Sequence, residues 1–130
     1  MYTSLNNVVV MTRGDSLDLQ FEKITLGEYA NYTLQGDDTL YFGLMDPGTY
    51  FEDALVKKVF TADDITTTLS EFILALSPED TVDLLPGKYF YALKLHLDHT
   101  ETEQTDTGYV TLEVDKVITV INKTKFIIND

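Results

Sequence analysis

The chain has 130 residues, 44% hydrophobic and 24% charged, which bounds it to one globular domain with a single core and argues against a disordered linker. Nine basic residues against 22 acidic ones leave a net charge of −13, with Arg13 the only arginine. That balance argues against nucleic acid or an anionic membrane surface as partner, since both demand a basic patch.

Asn7–Thr12 is a β-branched run that ends at Arg13-Gly14-Asp15-Ser16, read as a structural turn. Gly14 supplies a positive φ there, and Asp15 or Ser16 can bond the turn's own backbone. From Ser16 the chain alternates, with Leu17, Leu19 and Phe21 on one face, the mark of a half-buried strand. The apolar positions then slip to Ile24 and Leu26, which a bulge or a strand end explains. Residues 27–37 read as a polar connection, followed by the strand "TLYFGLM" (39–45) and the turn Asp46-Pro47-Gly48. Residues 49–54 read as a loop, and "LVKKVF" (55–60) as an edge strand guarded by its lysines. Residues 61–68 are turn or a short helical piece, and "SEFILAL" (70–76) is a strand. Ser77-Pro78-Glu79-Asp80 opens a short helix, reaching Leu84 or Leu85. "KYFYALKLHL" (88–97) is the clearest strand. "DHTETEQTDT" (98–107) reads as an acidic hairpin loop, with strands over 108–114 and 117–121 after it. Residues 122–130 form an extra strand or an assembly arm.

There is no cysteine, and "MYTSLNNVVV" lacks the basic and apolar regions of a signal peptide. No apolar run nears the roughly 20 residues that cross a bilayer, so folding in a reducing cytoplasm is expected. His96, Asp98 and His99 could together touch a metal, but two exposed histidines at a strand end is the stronger reading, because zinc needs three or four converging ligands. Asp37-Asp38, Asp63-Asp64 and Glu101/Glu103/Asp106 lack the spacing of a calcium loop and read as solvated carboxylates. No nucleophile elbow or phosphate loop is present, so no catalytic residue, cofactor or metal is expected. Tyr29, Tyr32 and Tyr50 lie in connections and are weak candidates for a recognition surface, against the heavier reading that they fold over the ends of the domain.

"LLPGKYFYAL" (84–93) resembles the tyrosine corner of immunoglobulin-like and fibronectin-like sandwiches, with Tyr89 or Tyr91 as the corner residue. The expected fold is an all-β, immunoglobulin-like antiparallel β-sandwich of seven to eight strands, with one short helix near 78–85. As a whole, the motif order "TRGDSLDLQF", "GDDTLYFGLM", "LSPEDTVDLLPGKYFYALKL" and a threonine-rich final hairpin resembles the immunoglobulin-like domains of tailed-bacteriophage virion proteins. Those occur as N-terminal domains of upper baseplate proteins and in head- or tail-associated proteins. The resemblance implies a non-enzymatic accessory, decoration or baseplate/tail component, made in the host bacterial cytoplasm and carried in the virion. Its partners would be other virion proteins and copies of itself in a homo-oligomer, with no nucleic acid and no membrane. The alternative is a carbohydrate- or host-surface-binding module.

Overall fold

The computed structural model describes residues 3–5, as backbone, and 8–130, and among them eight strands form two sheets packed face to face. The larger sheet has the order β1–β2–β8–β7–β4–β5, built from β1 (Thr3–Leu5), β2 (Val8–Thr12), β4 (Thr39–Met45), β5 (Val56–Thr61), β7 (Gly87–Thr105) and β8 (Gly108–Asn129). The smaller pairs β3 (Leu17–Gln20) with β6 (Ile73–Leu76). The two packed sheets make an all-β sandwich, divided unequally into six strands and two. No helix among the described residues is long and apolar enough to cross a membrane.

Alternation builds the core. Leu17 and Leu19 from β3, Leu74 and Leu76 from β6, and Leu40, Phe42 and Leu44 from β4 all turn inward and are buried. Tyr91 sits at the centre, stacked on Phe21 (6.1 Å between centroids) and Phe42 (5.9 Å), with Phe126 edge-on at 6.1 Å. Such ring pairs stabilise beyond the area they bury. On the opposite face of β4, Gly43 leaves room for Phe51, whose ring would lie 2.7 Å from a Cβ placed there. The lysine-bearing β5 is an edge strand, and its Lys58 reaches Asp80 at 2.9 Å.

One pairing departs from the antiparallel plan: β2 runs parallel to β8, Val9–Thr12 beside Phe126–Asn129. The cause is the turn after β2. Arg13-Gly14-Asp15-Ser16 is not a hairpin within one sheet but a corner that carries the chain from the larger sheet to the smaller. Gly14 has φ 80°, and Asp15 N–H donates to Thr12 O at 3.2 Å. The Gly14 N–H donates to the buried Thr81 Oγ1 (3.0 Å), while Arg13 donates to Asp130 (2.6 Å) and its backbone N–H to Asn129 O (2.7 Å). The turn is thus held against the body of the domain.

Residues 122–129 are the last eight residues of β8, so the tail lies inside the sheet. The apolar slip after Phe21 marks the end of β3 and a short helix α1 (Lys23–Leu26), which continues as a 3-10 turn over Gly27–Tyr29. The helix expected after Ser77 is a single turn, α2 (Pro78–Thr81), in which Ser77 N–H donates to Asp80 Oδ2 at 2.8 Å. Of the two corner candidates, Tyr89 makes the bond: its hydroxyl donates to Leu85 O at 2.5 Å. Tyr91 belongs to the core. Tyr89→Phe is therefore expected to lower stability by about 1 kcal/mol, read by thermal melting, with no change in fold.

Candidate functional site

The largest difference between expectation and structure lies at residues 98–107. They are not a loop. β7 continues through them, and β8 begins at Gly108, so the two strands form a ribbon closed by Asp106 and Thr107. Beyond the pair His99↔Val114, six further pairs extend to Thr105↔Gly108. At roughly 3.4 Å per residue the ribbon projects about 20 Å past the sandwich. Every residue from Thr100 to Glu113 is exposed.

The root of the ribbon is a buried polar cluster. Gly36 turns the chain before β4 with φ 58°, and a Cβ there would come within 2.9 Å of the His99 Cβ. That close approach seats Asp38 against β7 with no exposure to solvent. Its Oδ1 accepts from Asp98 N–H (2.6 Å) and from His99 Nδ1 (2.7 Å). Its Oδ2 accepts from Gln35 N–H (3.0 Å) and from the Tyr32 hydroxyl. On the far side of the imidazole, His99 Nε2 lies 3.0 Å from Glu101 Oε1, the first carboxylate of the ribbon.

The electrostatics follow from this geometry. Burial pushes the Asp38 carboxyl up, but the hydrogen bonds from Tyr32, His99 and the N–H groups of Gln35 and Asp98 outweigh it and hold the pKa below the ordinary value. The bonds to Asp38 and then Glu101 raise the His99 pKa against the opposing effect of burial. With both ring nitrogens facing carboxylates, the imidazolium fits better than either neutral tautomer, which would turn a lone pair toward one of them. Burial, then the bond to Asp38, raises the Tyr32 hydroxyl.

The candidate residues fall in separate places. His96 points to the outer face and pairs with Asp115 at 2.7 Å, whereas His99 points inward. Opposite faces of a strand cannot share one ion, and among the described residues no three metal-ligating groups converge. His99 is buried, not exposed at a strand end, and Asp38 is not a solvated loop carboxylate. Asp63 is exposed, and Asp64 accepts from Thr61 N–H at 2.9 Å within its own turn. Tyr29 and Tyr32 pack against the core, edge to face with each other at 6.2 Å. Only Tyr50, 74% exposed, stands out in solvent, beside Phe51 and Lys94 on the other side of the larger sheet. The three tyrosines do not form one surface.

Four exposed apolar groups are carried by one strand, β8. Tyr109 is 75% exposed, Val110 44%, Leu112 41% and Val117 62%. Register places Val110 opposite Glu103 and Leu112 opposite Glu101 on the face that continues the core side of the sheet. Tyr109, Thr111 and Val117 lie on the other face. Strand character was legible over 108–114 and 117–121, but the single continuous β8 and its open edge were not. Chemically, the arrangement offers a rigidly rooted arm with an apolar strand and a row of carboxylates, suited to recognition of a surface. Comparison with known protein families, with curated proteins and with solved structures gives no match to this chain.

Proposed function

We propose that this protein is a non-enzymatic assembly component of a tailed-phage virion, working through protein–protein contacts made by the β7–β8 ribbon. The observation that carries the docking role is the ribbon itself. A two-stranded ribbon alone in water is marginally stable, and exposing Tyr109, Val110 and Leu112 on it serves folding poorly. Both facts suit an arm that completes its packing against a neighbour. The virion setting rests on the motif order from "TRGDSLDLQF" to the final hairpin, which resembles virion immunoglobulin-like domains.

Mass spectrometry of purified particles tests the setting: peptides of this chain are expected at structural abundance, and absence from particles overturns it. The ribbon is tested by replacing Thr100–Glu113 with Asn-Gly, which can join His99 to Val114 as a two-residue hairpin turn. Because the excised residues are all exposed, melting is expected to shift by only a few degrees, while incorporation into particles is lost. Normal incorporation of the shortened protein overturns the docking role.

A further inference from the structure

Among the described residues the two edges that run into the ribbon are open over different lengths, β7 only from His99 to Thr105 and β8 from Gly108 to Ile121. β4 covers β7 as far as His96, and beyond it the loop before β4 caps Asp98, with Asp37 N–H donating to Asp98 O (2.8 Å) and Asp98 N–H to Asp38 Oδ1 (2.6 Å). β8 has no such cover. Among the described residues it has an outer strand neighbour only from Phe126 to Asn129, where β2 pairs with it. Just before that, Asn122 Oδ1 accepts from Lys123 N–H at 2.9 Å and Lys123 Nζ donates to Thr49 O at 2.5 Å, so this short stretch is closed locally. From Gly108 to Ile121 no strand lies on the outer side.

Such an edge is a template for another strand, and sheets ordinarily shield one with lysine, proline or a bulge. Gly108–Ile121 contains one lysine, Lys116, and no proline, and the register shifts that mark bulges come only near its end, opposite Tyr91–Lys94. Val117 to Ile121 is β-branched throughout, and Val110, Leu112 and Val117 offer apolar contacts to both sides of an added strand. Charge selects the occupant. Asp98, Glu101, Glu103, Asp106, Glu113 and Asp115 surround the edge with Lys116 as the only fixed positive charge between residues 98 and 121. A second copy would bring the same carboxylates and its own net charge of −13 against them.

We propose that the outer edge of β8, Gly108–Ile121, is a β-strand addition site for an extended basic segment of another protein, one that alternates lysine or arginine with apolar side chains. The proposal deepens the docking role of the ribbon and rests on that reading. Backbone pairing supplies the contact, the apolar side chains of the segment meet Val110, Leu112 and Val117, and its basic side chains meet the carboxylates.

The test uses the full-length chain, labelled for amide NMR, and a short synthetic peptide alternating lysine with valine. Shifts are expected to be largest over Gly108–Ile121, with smaller ones only at the facing carboxylate residues from Asp98 to Asp106. Binding is expected to weaken roughly tenfold or more in Val117→Lys or Leu112→Lys, both at exposed positions, and in high salt. A peptide with valine and glutamate, or the basic peptide N-methylated along its backbone, is expected not to bind. Shifts elsewhere, no shifts at all, or equal binding of the acidic or N-methylated peptide would overturn the assignment. So would concentration-dependent dimerisation through β8 without peptide, which gives the edge to a second copy. Particle incorporation is scored separately: a ribbon required in particles while the peptide leaves β8 untouched removes only the edge assignment. A protein that binds the peptide but is absent from virions removes only the virion setting.

Discussion

Asp38→Ala is expected to lower stability by about 3–5 kcal/mol, the largest loss for any single polar side chain in the domain. The carboxylate is fully buried and accepts from two backbone N–H groups, a tyrosine and a histidine. Removing it takes the acceptor from Asp98 N–H and Gln35 N–H at a part-buried site. It also leaves His99 without its inner partner. In a chain of this size the midpoint of thermal unfolding should fall by about 10 °C or more. Asp37→Ala, one residue away but exposed, is the control and should shift stability by less than about 0.5 kcal/mol. Equal effects from the two variants would contradict the assigned role of the cluster. Because Asp38 also fixes the first bonds of the ribbon, amide exchange at Asp98 and His99 should accelerate in Asp38→Asn even where the fold survives.

Stability should pass through a maximum in mildly acidic solution and fall on both sides. The His99 pKa is raised in the folded state, so its contribution is complete below the unfolded value of about 6.5 and is lost as pH climbs through the folded value. Asp38 has the opposite sign: its folded pKa is depressed, so its contribution is complete above about 4 and is lost as pH drops through the folded value. Asp80, held down by Lys58 and Ser77 against the effect of burial, adds to the acid limb. His96, raised by Asp115, adds to the alkaline limb. Denaturant melts from pH 3 to 9 check the shape. His99→Gln should flatten the alkaline limb, and Asp115→Asn should flatten it less, because His96 and Asp115 are partly in solvent. A profile that rises steadily from pH 5 to pH 9 would contradict the charged imidazole between Asp38 and Glu101.

How far the fold was legible depended on whether an element carries an apolar alternation. Leu17, Leu19 and Phe21 announce β3, and Leu40, Phe42 and Leu44 announce β4, because one face of each is buried and period two follows. The ribbon carries no such signal on β7: Thr100–Thr105 alternates threonine with glutamate and glutamine, all in water, and that composition reads as loop. Its strand character comes from pairing with β8. Parity still held a clue, since His99 falls in step with Leu93, Leu95 and Leu97 and would have been placed inward had the strand been carried two residues further. Asp38 held none. Its burial is created by an approach between residues 60 apart in the chain, which no local pattern encodes. The corner at Arg13-Gly14-Asp15-Ser16 was legible as a turn but not as a passage between sheets, since that depends on which strands each neighbour finds.

The parallel pair of β2 with β8 has a bearing on how the domain comes into being. Its two members, Val9–Thr12 and Phe126–Asn129, are neighbours in the sheet but far apart in the sequence, and Arg13 is clasped by Asn129 and Asp130. During synthesis the early strands can emerge and collapse, yet β2 has no partner from the larger sheet on that side until residue 129 has left the ribosome. Contacts so distant in sequence carry a heavy entropic cost of loop closure, which places this domain among the slower folders of its length. The interval before closure is when the β8-facing edge of β2 is open, so a nascent chain stalled short of β8 would be the form most open to chaperones and to aggregation.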